Sequence, residues 1–402
     1  MDERNQIKNK VILHADVNNF FASVECSTKP ELADKPVAVT GNPNKRTGII
    51  LAKNEIAKKY GIKTGQVIGE AKALCPELVC LPPHYDIYEE ISGQLHELYL
   101  EYTNFVEPLG LDECWLDVTH SLKILKKTGE EIADELRRRV QEMFNFTISV
   151  GVSFSKIFAK LGSDMRKPNF TTIIPYSNFK ELTYNLPLDS IVGIGRRLNK
   201  KFSAIDVDTI GKFVELDDQF LDNIMGINGT NLKKDLLAQR HVPVLDYYNL
   251  PPPKSIGNGT TTIKDISSRN EIKKVIFFLA QKISARMIKH KVKGECIYIR
   301  LKSNNLKSVK KSSKITPTNE AKDIAEEALK LCDLIYKYNY PIRAIRVKMS
   351  MLSSSNYKQL SMFEKEKKDI SKTIVEINKK YGEIFLASDN ANFINKSSHP
   401  QE

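Results

Sequence analysis

The chain has 402 residues, 41% hydrophobic and 27% charged, with a net charge of +12 and six cysteines that form no CxxC pair. Such a length carries two to four units with cores of their own. No apolar run approaches the ~18 residues that span a bilayer, and MDERNQIKNK lacks a signal-peptide core, so a soluble, cytoplasmic protein without structural zinc is expected.

The charge is uneven. Residues 254–348 hold 22 Lys/Arg against 8 Asp/Glu, a surplus of 14 that leaves the rest of the chain at −2. A basic segment on a near-neutral body fits a surface for a polyanion, nucleic acid first.

In chain order, KVILHADV (10–17) reads as a buried strand delivering Asp16 near its end, followed by the helical NNFFASVEC. Strands are expected at 36–41 and 48–52, a helix over 54–60 stopped by Gly61, and an amphipathic helix over 85–104. FVEPLGLDECWLDVT (105–119) reads as two strands around a tight turn carrying Asp112 and Glu113. Helix 129–144, strand 147–153 and helix 155–166 complete a ferredoxin-like α+β core, an antiparallel sheet with helices on one face. Residues 176–242 are helical and hold two glycine turns, IVGIGRR and IMGINGT. LPPPK (250–254) reads as a break, with 243–254 as a linker. A second βαββαβ unit follows over 255–352, then a polar tail with one more helix at 369–381.

Asp16, Asp112 and Glu113 fall at strand ends of one expected sheet, where neighbouring strands are about 4.8 Å apart and carboxylates can share cations. Phosphoryl transfer by two metal ions needs such a set, and hard carboxylate oxygens suit Mg²⁺. Adjacent acids on a turn are equally compatible with plain solvation, so the residues alone leave the metal site open.

DVNNFFASVE (16–25), LGLDECWLDVT (109–119) and GVSFSKIFAKLGSDMRKP (151–168) resemble, in order and separation, the catalytic motifs of Y-family DNA polymerases of the UmuC/DinB type. The resemblance implies a right-hand polymerase: palm (1–19 and 85–175), small fingers (20–84), helix-hairpin-helix thumb (176–242) and little finger (255–352). It implies Asp16, Asp112 and Glu113 as ligands of two Mg²⁺ ions, with the Val17 carbonyl as a further ligand. Phe21 falls at the steric gate, a ring against the sugar C2′ that leaves no room for a hydroxyl. Phe20 is expected in the core, with its ring also lining the nucleotide site. Lys167 matches the lysine holding the triphosphate, and Lys156 is a second basic candidate. Lys58 stands where an arginine is usual, keeping the charge but losing the fork. Glu55 replaces a usual tyrosine and Ala52 a hydroxyl residue, departures that put the nucleotide grip in question.

Gly193, Gly195, Gly226 and Gly229 are expected to turn backbone N–H groups toward phosphates. Lys302, Lys307, Lys310, Lys311 and Lys314 are expected along the DNA backbone. Gln359, Leu360, Met362 and Phe363 resemble the peptide by which bacterial polymerases bind the sliding clamp. The expected partners are primer-template DNA, deoxynucleoside triphosphates and that clamp, for a monomer without a proofreading exonuclease. Two rivals stay open: a nucleotidyl cyclase, which shares the acid-bearing sheet, and a non-synthetic subunit that binds DNA and clamp.

Overall fold

Strand β1 (Ile12–Val17) is buried along its whole length, because both of its faces are covered. Leu13, Ala15 and Val17 point into one core, while Ile12, His14 and Asp16 point to the opposite side. In this computed structural model, which describes residues 7–41, 48–337 and 340–354, the chain divides between Leu250 and Pro251 into two compact units.

The first unit holds two sheets. A small one joins β2 (Val37–Thr40), β3 (Ile50–Lys53) and β4 (Val79–Leu81), with β2 in the middle. The larger one has the order β5-β6-β1-β7-β8, from β5 (Val106–Leu109), β6 (Glu113–Asp117), β7 (Ile148–Ser153) and β8 (Thr171–Ile174). Pairing is antiparallel except between β7 and β8, so the expected antiparallel sheet gains a parallel edge strand.

Helix α1 (Phe20–Ser27) follows β1 and gives Phe20 and Val24 to the core of the larger sheet. Helices α2 (Glu55–Lys59) and α3 (Ile68–Leu74) complete the small sheet's layer. Asn54 caps α2 by accepting from the Ala57 N–H, and Gly61 follows at φ 80°. Helix α4 (Tyr85–Leu100), short α5 (Ser121–Leu125) and α6 (Gly129–Phe144) come next, with α4 and α6 packed on the Leu13 face. The Thr128–Glu131 capping box starts α6.

Helix α7 (Lys156–Met165) covers the opposite face, which corrects the expectation of helices on one side only. Its close approach depends on glycine. A Cβ at Gly151 would lie 1.9 Å from the Ala159 carbonyl oxygen, and one at Gly162 would lie 3.2 Å from the Gly151 Cα. The outer side of α7, through Phe158 and Leu161, shares its core with the helical segment that follows: α8 (Phe179–Thr183), α9 (Arg196–Ser203), α10 (Ile210–Glu215), α11 (Asp218–Met225) and α12 (Ile227–Leu236).

Residues 243–250 are not a free linker. Val244 is buried beside Ile12, Trp115 and Ala159, and its neighbour's N–H, that of Leu245, donates to Glu107 Oε2 at 3.0 Å. The Tyr247 N–H donates to the Asn104 carbonyl, and its ring meets His96 edge-on. Apolar burial and two hydrogen bonds outweigh the turn-like composition that suggested a tether.

The second unit is a βαββαβ layer: β9 (Ser255–Ile266), α13 (Arg269–Lys289), β10 (Val292–Ser303), β11 (Ser308–Thr318), α14 (Ala321–Ile335) and β12 (Ile342–Ser354), with sheet order β11-β10-β12-β9. Both helices pack on the face carrying Ile297, Ile299 and Leu301, and among the described residues no helix packs on the other face. The expected helix at 369–381 and the peptide Gln359, Leu360, Met362 and Phe363 lie outside the described residues.

Candidate active site

Asp16 and Glu113 are cross-strand partners, so their carboxylates share the face beneath α7. The Val17 N–H donates to the Asp112 carbonyl at 3.0 Å, which ties the β5–β6 turn to the end of β1 and brings the third acid alongside. Helix α7 and the residues just after it supply the counter-charges. Lys160 Nζ lies 2.9 Å from Asp16 Oδ2, 3.0 Å from Glu113 Oε1 and 3.0 Å from Asp164 Oδ2. Lys167 Nζ lies 2.8 Å from Asp16 Oδ2 and 2.9 Å from Asp164 Oδ1.

The balance is acidic: among the described residues Lys160 and Lys167 are the ammonium groups paired with Asp16, Glu113 and Asp164, and Asp112 adds a fourth carboxylate beside Asp16 and Glu113. Asp112 registers the surplus. Burial, then the charges of Asp16 and Glu113, push its carboxyl up to about 6. Burial acts in the same direction on Glu113, but the nearby His14 ring and the Lys160 charge overcome it and bring it down to about 2. Burial lowers the His14 imidazole, and the neighbouring acids, led by Asp16, hold both lysines above the usual range against burial.

Oxygen donors with excess negative charge fit a hard divalent cation. Among the described residues no three acidic, histidine or cysteine side chains already stand together as a cage. Lysine nitrogens sit against the Asp16 and Glu113 oxygens instead, so binding an ion requires those ammonium groups to turn outward.

In the first turn of α1, Phe21 packs against the Leu13 core and stacks on Tyr88, with ring centroids 4.4 Å apart and planes at 14°, and meets Tyr85 edge-on. Tyr88 is fully buried, and its hydroxyl donates to Glu25 Oε1 at 2.7 Å. Lys29 donates to the other Glu25 oxygen at 2.8 Å, and His84 Nδ1 meets Oε1 at 2.7 Å. Phe20, by contrast, is a core residue with 3% exposure, which removes it from the nucleotide-contacting set.

Residues 15–164 match the impB/mucB/samB family and residues 253–362 match that family's C-terminal domain. The chain is 37% identical over 370 residues to the DNA polymerase IV of Acetivibrio thermocellus, covering 92% of both chains. It is 33% identical over 389 residues to the DNA polymerase IV of Bacillus velezensis, covering 94% of this chain and 92% of the relative. The chain belongs to the Y family of DNA polymerases. The fold agrees: a solved Y-family DNA polymerase chimera superposes with a TM-score of 0.76 at 24% identity, over 86% of this chain and 99% of the other.

For this Y-family chain the structure redistributes several sequence expectations. Lys156 is not turned to the acids: it pairs with Glu107 at 2.6 Å and lies over the Trp115 ring, whose Nε1–H donates to the Lys156 carbonyl. Lys160, one helical turn on, is the lysine of α7 that meets Asp16 and Glu113. Lys58 is half exposed on α2, 3.5 Å from Glu55, and Glu55 Oε1 accepts from Asn19 Nδ2 at 2.8 Å. The unusual Glu55 thus bridges the residue before α1 to the small sheet's helix, while Ala52 sits on β3 opposite Val39.

Gly193 (φ 100°) and Gly226 (φ 64°) adopt turns that side chains disfavour. Neither α9 nor α12 has a side-chain N-cap, and the N–H groups of Gly193, Gly195, Ile227 and Asn228 meet no protein acceptor among the described residues. Gly226 and Gly229 differ from expectation, since their N–H groups donate to the Asp222 and Gly226 carbonyls. Gly229 lets α11 and α12 touch, because a Cβ there would lie 2.8 Å from the Leu221 oxygen.

On the second unit, cross-strand register sorts the lysines. Lys310 pairs with Arg300 and Lys314 with Cys296, on the helix-free face, whereas Lys311 pairs with Ile299 and belongs to the helix-packed face. Lys302 shares the face of Arg300, and Lys307 sits in the turn at Ser303–Ser308. The sequence reading missed Arg300, Arg346 and Lys348, which complete this basic face beside a groove of about 480 Å³ floored by β9. Period-two alternation along β10 and β12 carried that signal.

Proposed function

We propose that this polymerase adds deoxynucleotides to a primer 3′-OH on a DNA template, at low fidelity and across damaged bases, without proofreading. The observation that carries the reading is the acid-rich cluster of buried Asp16 with half-buried Asp112 and Glu113, held against Lys160 and Lys167. Bound there, two Mg²⁺ ions would activate the 3′-oxygen and neutralise charge on the phosphates. Asp16, Asp112 and Glu113 would hold the ions, with the Val17 carbonyl as a further ligand. Lys167 and Lys160 would pass from the carboxylates to the triphosphate as the anionic nucleotide arrives. Lys58 would add a further cation from the small sheet's side, and Phe21 would exclude a 2′-hydroxyl.

The larger sheet is then the palm, residues 20–84 the fingers, the helical segment the thumb and the second unit the little finger. Thumb N–H groups at Gly193, Gly195 and Ile227 would meet backbone phosphates, as would Lys302, Lys307, Lys310 and Lys314. A nucleotidyl cyclase has no use for these open turns or for the basic face, which favours the polymerase. Clamp recruitment through Gln359–Phe363 completes the proposal.

Primer extension by purified protein with Mg²⁺ tests it. Asp16→Ala and Asp112→Ala should abolish extension yet leave primer-template affinity within about twofold, since these residues hold ions rather than the duplex. Extension at the wild-type rate by either variant would overturn the assignment, and no extension by the wild-type protein would favour a non-synthetic subunit.

A further inference from the structure

His14 has no part in the chemistry above, yet the fold invests in its ring. It is fully buried on β1, on the same face as Asp16. Trp115 packs edge-on at 5.2 Å, Ser163 Oγ lies 2.8 Å from Nδ1, and Glu113 Oε2 lies 3.5 Å from Nε2. Nε2 has no partner at hydrogen-bond length, although it is buried and directed at a carboxylate. A packing role alone would be served better by leucine or phenylalanine, which bury no polar atoms.

The single Ser163 proton decides the tautomer. Ser163 Oγ lies 2.8 Å from His14 Nδ1 and 2.8 Å from the Lys160 carbonyl. If the proton went to Lys160, the neutral ring would carry its own on Nδ1, and a bare Nε2 lone pair would face Glu113. Two acceptors would then oppose each other in a buried place. The Lys160 carbonyl, inside α7, has a helical N–H for partner and does not need Ser163. With the Ser163 proton on Nδ1, the ring's own proton sits on Nε2 and points at Glu113.

We propose that His14 is a positioning residue for the polymerase reaction: its Nε2–H, oriented by Ser163, steers Glu113 Oε2 and leaves Oε1 presented toward the Lys160 side. This rests on the reading of Glu113 as a catalytic carboxylate. The present separation is long for a hydrogen bond, and a small rotation of Glu113 closes it, as catalytic contacts tighten in the assembled complex. His14 touches no substrate and acts only through Glu113, as outer groups orient ligating carboxylates elsewhere.

The test combines single-nucleotide insertion kinetics with Mn²⁺ binding by electron paramagnetic resonance. The proteins are wild type, His14→Asn, His14→Gln, Ser163→Ala, Glu113→Gln and the His14→Asn/Glu113→Gln double variant. An asparagine amide reaches only the Nδ1 position, whereas a glutamine amide reaches that of Nε2. His14→Asn should lower kcat and Mn²⁺ affinity by about 10- to 100-fold with nucleotide KM little changed, and His14→Gln should recover most of the loss. The double variant should be no worse than Glu113→Gln alone. Wild-type kcat in His14→Asn beside a damaged Glu113→Gln, or losses that add in the double variant, would overturn the proposal. A fully active Glu113→Gln would instead refute the catalytic reading of Glu113. Should His14→Asn fail to fold, Ser163→Ala decides: a several-fold loss of kcat that vanishes in the Glu113→Gln background supports the role, and a wild-type kcat refutes it.

Discussion

The ring of Phe21, the proposed gate, rests flat on Tyr88, and Tyr88 is fixed by its hydrogen bond to Glu25, so that ring cannot recede without breaking a buried network. Replacing Phe21 by Ala opens room for one oxygen atom. Relieving a clash of that size gains about 1–3 kcal/mol, or roughly 5- to 150-fold in the ribonucleotide-to-deoxyribonucleotide ratio of kcat/KM. Phe20→Ala is the control, since that core ring should cost stability and leave sugar choice alone. An unchanged ratio in Phe21→Ala, or an equal shift in the control, places the gate elsewhere. Glu25 adds a pH signature. Burial alone would raise its carboxyl, but the bonds from Lys29, Tyr88 and His84 outweigh burial and hold it below the ordinary range. A depressed folded-state value contributes stability that is complete above the unfolded carboxylate range and lost as pH falls through the folded value. Glu25→Gln should therefore cost about 1–3 kcal/mol near neutral pH, a gap in melting temperature that narrows steadily below about pH 4.3. A gap that stays constant on acidification would mean that the charge of Glu25 does not support Tyr88.

At the scale of elements, the long periodic segments were legible in the sequence and the crossings were not. Strand β1, an apolar run, and helix α6, with its helical period, end within two residues of expectation, and the elements from β9 to β12 follow the βαββαβ order expected over 255–352. Strands β4 and β8 escaped notice because three or four residues cannot display a period, and β8 is set by its parallel pairing with β7. The carboxylates could be read because their motifs are contiguous. Lys160 could not, since Lys156, Lys160 and Lys167 look alike until the Gly151–Gly162 contact fixes which side of α7 faces the acids. Register likewise separates Lys310 from Lys311, adjacent in sequence and opposite in direction. If the helix-free face lies along DNA, Lys310→Ala should reduce the slope of log affinity against log salt by about 0.9, the value for one phosphate contact, and Lys311→Ala should leave it unchanged. Equal changes in both variants would mean that the face is not what meets the phosphates.

For the whole molecule, the docking of residues 243–250 on the first unit shortens the untethered connection to little more than Pro251–Lys254. On the proposed reading, DNA is held mainly through backbone phosphates, contacts that salt weakens and that leave the enzyme few means of staying on its template. Tethering to a sliding clamp would offset that weakness by raising effective concentration, and Gln359–Phe363 offers Leu360, Met362 and Phe363 for an apolar pocket. Replacing those three residues with Ala should remove stimulation by the cognate clamp while leaving distributive extension unchanged within about twofold, because none of them is among the residues proposed for chemistry or DNA contact. The measurement is product length on a long primed template, with and without clamp. Short products from both proteins without the clamp, and long products only from the wild type with it, are the expected pattern. Equal lengthening of both would mean that the clamp is engaged elsewhere, and the pentapeptide would then have no part in recruitment.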